Sequence, residues 1–148
     1  ASGRSQERTP EFSQTGAAYT KSDDIGYSYV EVDLSNQHVY LIVSGKLVTD
    51  SPCVTGCVKN GHGTPDGLYS VTYKESPSVL RGEDYETKVN FWMPFNRGIG
   101  LHDATWRDKF GGDIYYSSGS HGCVNLPYQK AAVIYENIYA GMPVICYY

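Results

Sequence analysis

The sequence predicts a mainly β domain, with one helix near the C-terminal end packed on a sheet or open barrel. Three observations carry that expectation. Fourteen Tyr and sixteen Gly occur in 148 residues with few long helix-forming runs, a balance that favours strands joined by tight turns. Val30, Val32 and Leu34 alternate with Glu31 and Asp33, the period-two pattern of a half-buried strand. Helical spacing is plain at Ala131, Ile134, Tyr135 and Ile138, a stripe at i, i+3, i+4 and i+7.

A hydrophobic fraction of 41% and an aromatic fraction of 14% suit one domain with a real core. A net charge of -4 argues against a nucleic-acid binder, which needs a basic face. No apolar run approaches membrane-spanning length, so no membrane contact is expected in this segment. The chain opens on Ala1 with no signal-peptide pattern and reads as a processed protein or a fragment of a longer one.

Residues 1–24 are polar, charged and Gly-containing, without periodicity, and read as a linker or N-terminal arm preceding a domain over 25–148. Tyr29–Leu34 is the first strand, Ser35-Asn36-Gln37 a turn, and His38–Val43 the second strand. Ser44-Gly45 turns into a third strand over Lys46–Thr55. His38 is expected to face solvent. Gly56–Gly67 is a loop leading to a strand at Leu68–Tyr73. Lys74–Lys88 reads as a charged excursion. Val89–Phe95 is the most aromatic run and a core strand, with Pro94 ending its pairing or lying at an edge.

Gly98–His102 reads as a short strand that delivers His102 at its end. Trp106–Gly119 is a long loop with a flexible point at Gly111-Gly112, and loops of that length are usually functional. Pro127 opens the helix, Gly141 stops it, and Val144–Tyr148 is the last strand.

The four cysteines form no regular disulfide framework. Cys53 reads as a small buried hydrophobe. On one straight strand Cys53 and Cys57 would lie ~13 Å apart, too far to bridge, unless the chain turns at Gly56. Cys53, Cys57 and His62 hint at zinc. Their complement would be His121 and Cys123, separated by one residue, a spacing unlike that of structural zinc sites, and no metal is expected.

The chemistry concentrates in Leu101-His102-Asp103 and Ser120-His121-Gly122-Cys123-Val124-Asn125. A cysteine nucleophile needs a nearby base or cation. Gly122 permits a tight turn that leaves its own N–H and that of Cys123 free to face a developing oxyanion. His102 can be folded back to the thiol, to take its proton or to hold an ion pair. Asp103 could fix its tautomer. His121 is ambiguous between second base, oxyanion donor and loop scaffold.

Leu101-His102, seventeen residues, then Ser120-His121-Gly122-Cys123-Val124-Asn125 resembles the signature of the L,D-transpeptidase catalytic domain, the YkuD-like family. Thr64-Pro65-Asp66-Gly67 followed by Leu68-Tyr69 resembles a second block of that family. The resemblance implies a β-sandwich-like fold and a cysteine acyltransferase, with Cys123 as nucleophile and His102 as base. His121 would flank the site, and a backbone carbonyl often does the work offered above to Asp103. Asn125 would bind substrate or brace the loop, Ser120 is a candidate substrate-binding residue, and Trp106 would wall the cleft or fill the core.

The implied reaction is peptidoglycan cross-linking on stem tetrapeptides in the bacterial cell envelope, outside the cytoplasm. It would need no cofactor, and carbapenem-type β-lactams would act as inhibitors. The rival readings are an L,D-carboxypeptidase on the same scaffold, an inactive wall-binding module and a zinc-stabilised domain.

Overall fold

The computed structural model describes residues 27–82 and 85–148. The expected linker at 1–24 lies outside them. Among the described residues, ten strands and two helices follow in order: β1 (Tyr29–Asp33), β2 (His38–Val43), β3 (Lys46–Pro52), β4 (Gly67–Ser70), β5 (Ser78–Arg81), β6 (Glu86–Val89), β7 (Trp92–Asn96), β8 (Ile99–Asp103), α1 (Ile114–Ser118), β9 (Val124–Leu126), α2 (Tyr128–Asn137) and β10 (Pro143–Tyr147). A five-stranded sheet runs β3-β2-β1-β10-β4, a three-stranded sheet runs β7-β8-β9, and β5-β6 is a separate hairpin. β1 pairs parallel to β10, and β8 parallel to β9.

The main core lies between the two larger sheets. Val30, Val32, Leu34, Val39 and Leu41 meet Met93, Phe95, Leu101, Val124 and Leu126, and Ala131, Ile134 and Ile138 join them from the helical stretch. The expected mainly β architecture is therefore present, with α2 packed against β3 and β8.

Several local expectations need correction. β1 is not half-buried: Tyr29, Glu31 and Asp33 are as enclosed as the residues facing the core. A second cluster of Tyr29, Tyr40, Ile42 and Ile145 occupies that other face, and Tyr147 donates its hydroxyl proton to Glu31 there. His38 is half-buried and paired with Asp50 at 2.5 Å. The charged excursion contains the β5-β6 hairpin, whose Leu80 and Thr87 line a cavity outside the main core. The supposed loop 106–119 contains α1, which buries no residue and so leaves no periodic trace.

Helix α2 ends at Asn137, before Gly141, because Ile138 leaves helical geometry and becomes buried. Gly141, with φ of 97°, instead turns its N–H onto Val71 O at 2.7 Å. Pro127 sits one residue before the helix, as its cap. Pro94 lies on edge strand β7, beside a register shift, as a residue without an N–H requires.

Candidate active site

Backbone pairing brings the two halves of the motif together. β8 carries His102 beside Asn125 of β9 in parallel register. The chain beyond β3 then pairs with the same loop. Val54 and Asn125 exchange two backbone hydrogen bonds, at 3.0 and 2.8 Å. Ser120 N–H donates to Thr55 O at 3.0 Å, and Cys57 N–H to Ser120 O at 2.8 Å.

Within that frame Gly122 adopts a φ of 136°, a backbone conformation that strains any residue with a side chain. Ser120 Oγ accepts from Gly122 N–H at 3.0 Å and donates to Cys123 O at 2.6 Å. This corrects two expectations. The Gly122 amide is engaged within the turn and not free for an oxyanion, and the Ser120 hydroxyl braces the loop. Thr64 locks it from the other side: its Oγ1 donates to Gly122 O at 2.6 Å and accepts from Gly56 N–H at 2.9 Å. That gives the Thr64-Pro65-Asp66-Gly67 block a physical role the sequence left unstated.

His102 is 4% exposed, so its hydrogen bonds decide its state. Nδ1 lies 2.7 Å from the Asp103 carbonyl oxygen, which only accepts, so Nδ1 carries the proton. Nε2 is then the acceptor and faces Asn125 Nδ2 at 3.2 Å. Asn125 Oδ1 receives Arg107 Nε–H at 2.9 Å; guanidinium only donates, so this contact fixes which way the amide points.

The Asp103 carboxylate is not the orienting group. It accepts from Asn90 N–H, Asn90 Nδ2 and Phe91 N–H at 2.8, 2.7 and 2.9 Å, holding the entrance to β7. Trp92 and Trp106 flank the imidazole, each with its ring centroid 6.0 Å away.

The Cys123 thiol is partly exposed and contacts Gly98 O at 3.4 Å. Burial pushes it up to about 11, and a hydrogen bond from the Gly100 backbone only partly offsets that. Burial pushes His102 down from its usual 6.5, against the opposing pull of the Asp103 carbonyl and charge. Both shifts favour a neutral thiol beside a neutral imidazole in the resting protein, not an ion pair. Cys53, Cys57 and Cys146 are buried free thiols, and burial also raises Cys53 and Cys146.

A cavity of about 320 Å³ gathers His102, Trp106, His121, Cys123, Asn125 and Arg107. Trp106 is 53% exposed, so it walls the cavity and does not fill the core. His121 lines the same cavity, and its ring is held by neighbouring rings. Its ring stacks on Tyr85 at 5.1 Å and meets His62 edge-on at 4.9 Å. Leu80 and Thr87 of the hairpin complete the wall beside Tyr85. Sequence reasoning missed the hairpin and Arg107. The only signal for Arg107 was its place beside Trp106 in the segment joining the motif halves.

The L,D-transpeptidase catalytic-domain family model matches residues 27–146. No curated protein matches. A crystal structure of an Enterococcus faecium L,D-transpeptidase with a cysteine-to-serine mutation is 36% identical, with a TM-score of 0.77, over 83% of this chain and 50% of that one. The catalytic domain of the E. faecium enzyme acylated by ertapenem is 37% identical, with a TM-score of 0.73, over 82% and 97% of the two chains. A Mycobacterium smegmatis L,D-transpeptidase is 26% identical, with a TM-score of 0.69, over 82% and 58%. The chain thus spans about half the length of that E. faecium crystal structure.

Proposed function

We propose, for a chain that belongs to the L,D-transpeptidase catalytic-domain family, that it cross-links peptidoglycan stem peptides through a Cys123 thioester. The observation that carries the reading is the tautomer of His102. Nδ1–H is held by the Asp103 carbonyl, which leaves Nε2 as the acceptor, held in the resting protein by Asn125 Nδ2, and His102 and Cys123 line the same cavity.

Cys123 Sγ–H turns from Gly98 O to His102 Nε2, and the imidazole takes its proton as sulfur attacks the carbonyl of the L-centred third stem residue. The Cys123 N–H is the amide of the loop assigned to the oxyanion, since that of Gly122 is already engaged. The imidazolium gives its proton to the departing D-alanine nitrogen as the C–N bond breaks, and a thioester remains. An acceptor amine then attacks the thioester and loses a proton to His102. The thiolate departs and is reprotonated, closing a cycle that consumes no net protons.

His121, stacked on Tyr85 and met edge-on by His62, positions the loop and does not act as base. No step requires a cofactor or metal. A β-lactam carbonyl meets the same thiol, so carbapenem acylation is part of the reading. It is supported by the ertapenem-acylated relative. Membership of a family that works on peptidoglycan supports a location in the cell envelope, outside the cytoplasm. No described helix is long and apolar enough to cross a membrane. Residues 25–148 form the catalytic domain in this reading, and 1–24 a linker or arm.

Mass spectrometry of products from a disaccharide-tetrapeptide tests it, with and without an added amine. A 3→3 dimer or amine adduct with release of D-alanine is expected. Tripeptide and D-alanine alone would indicate the carboxypeptidase instead. An unchanged substrate would overturn both.

A further inference from the structure

Arg107 is a cation with unused hydrogen-bonding capacity at the wall of the cavity. It is half-buried, which is costly for a guanidinium and lowers its pKa. Of its five N–H donors, the described side-chain contact uses one, Nε to Asn125 Oδ1. Among the described residues no carboxylate pairs with it, and none of the residues lining the cavity is acidic. The protein as a whole carries a net charge of -4, so a cation without a counterion among the described residues stands out.

With Nε engaged, the planar guanidinium still offers its terminal nitrogens, an edge that matches a carboxylate through parallel bonds. Its position relative to the base is fixed. Arg107 reaches His102 Nε2 through one residue, Asn125, by contacts of 2.9 and 3.2 Å. His102 must protonate the leaving amine, and in a tetrapeptide donor that nitrogen is bonded to the carbon bearing the terminal carboxylate. The carboxylate carbon lies about 2.5 Å from that nitrogen, two bonds away, and Arg107 lines the same cavity as His102, one residue from its Nε2.

We infer that Arg107 is the receptor for the C-terminal carboxylate of the acyl donor, selecting donors whose leaving group is a single free amino acid. The inference rests on the transpeptidase reading above. It makes chain length a charge-recognition problem. A donor extended by one residue puts a neutral amide where the carboxylate belongs, and leaves the guanidinium buried without its anion. A carbapenem satisfies the same rule, because its carboxylate sits on the carbon bonded to the lactam nitrogen.

The test compares kcat/KM for a disaccharide-tetrapeptide and its C-terminal carboxamide, in wild type, Arg107→Gln and Arg107→Lys. Wild type should prefer the free acid by about 10- to 100-fold, the range for one charge-assisted contact. In Arg107→Gln the two donors should converge to within about threefold of each other. Arg107→Lys keeps the charge without the fork and should retain an intermediate preference. Damage that reaches the site only through Asn125 would slow both donors equally and leave their ratio unchanged. A wild-type enzyme without preference, or an Arg107→Gln enzyme that keeps it, overturns the assignment alone. Should Arg107→Gln fail to fold, an undiminished preference in Arg107→Lys overturns it. Failure of wild type to turn over either donor defeats the transpeptidase reading, and this inference with it.

Discussion

His102 Nε2 faces the side-chain amide of Asn125 at 3.2 Å, so in the resting protein the proposed base is held by asparagine and not by the cysteine. The arrangement aligns the imidazole before substrate arrives and lets it exchange one weak neutral contact for the thiol proton. Removing the amide should therefore misplace the base. Asn125→Ala is expected to slow ertapenem acylation by about 10- to 100-fold, the scale of an ångström-level misplacement. Stopped-flow absorbance of β-lactam ring opening measures it, and an unchanged rate would show that the amide does not position the base.

Cys123→Ala should abolish acylation without unfolding the protein, because the side chain is only partly buried and borders a cavity. In wild type, peptide mapping after ertapenem treatment should place the adduct on Cys123. The thiols of Cys53 and Cys146 are buried and carry raised pKa values, that of Cys146 about 12, so they should stay unmodified. An adduct at either would mean that the reactive thiol is elsewhere.

Thr64→Val deletes both contacts that tie Gly56 to Gly122, and leaves a buried N–H without its acceptor. A loss of about 1–3 kcal/mol is expected from denaturant unfolding. Acylation should fall as well, since the same loop carries Cys123. A variant with wild-type stability would remove Thr64 from the account of how the loop is held.

Stability should fall at both ends of the pH scale. Folded His102 has a lowered pKa, so the unfolded chain binds the extra proton. The contribution is intact above about 6.5 and is lost as pH falls below it. Cys123 acts at the other end: an unfolded thiol near 9 ionises before the folded one at about 11, so stability declines as pH rises from 9 towards 11. Cys123→Ala should remove one proton's share of the alkaline slope, and His102→Gln should flatten the acid limb. Denaturant midpoints across pH measure both, and slopes that neither substitution alters would contradict these ionisation states.

The strands that carry the main core were legible because one side of each is set by that core. β2 falls at His38–Val43 and β8 ends within one residue of His102, as alternation and turn residues indicated. The second face of β1 was misread, since Glu31 and Asp33 are acidic side chains yet both are buried, Glu31 against Tyr147, a tertiary fact. The β5-β6 hairpin escaped because Arg81, Glu86 and Lys88 mask residues that face a cavity. At the site, the motif named Cys123, His102 and Asn125 as candidates. It could not tell the Asp103 carbonyl from its carboxylate, because both belong to one residue and only geometry separates them. Nor could it place Arg107 against Asn125, eighteen positions away.

The central claim is that His102 works on a neutral thiol, and the pH dependence of Cys123 alkylation tests it most directly. Iodoacetamide labelling should be followed from about pH 6 to 11 in wild type and His102→Ala, alongside ertapenem acylation. The account predicts that labelling rises towards a thiol pKa of about 11 in both proteins. Acylation alone should drop in the variant by ~10²–10⁴, the usual range for losing a general base. Rapid labelling of wild type already at about pH 6, abolished in His102→Ala, would instead reveal a thiolate–imidazolium pair, the opposite of the ionisation states these burial shifts favour.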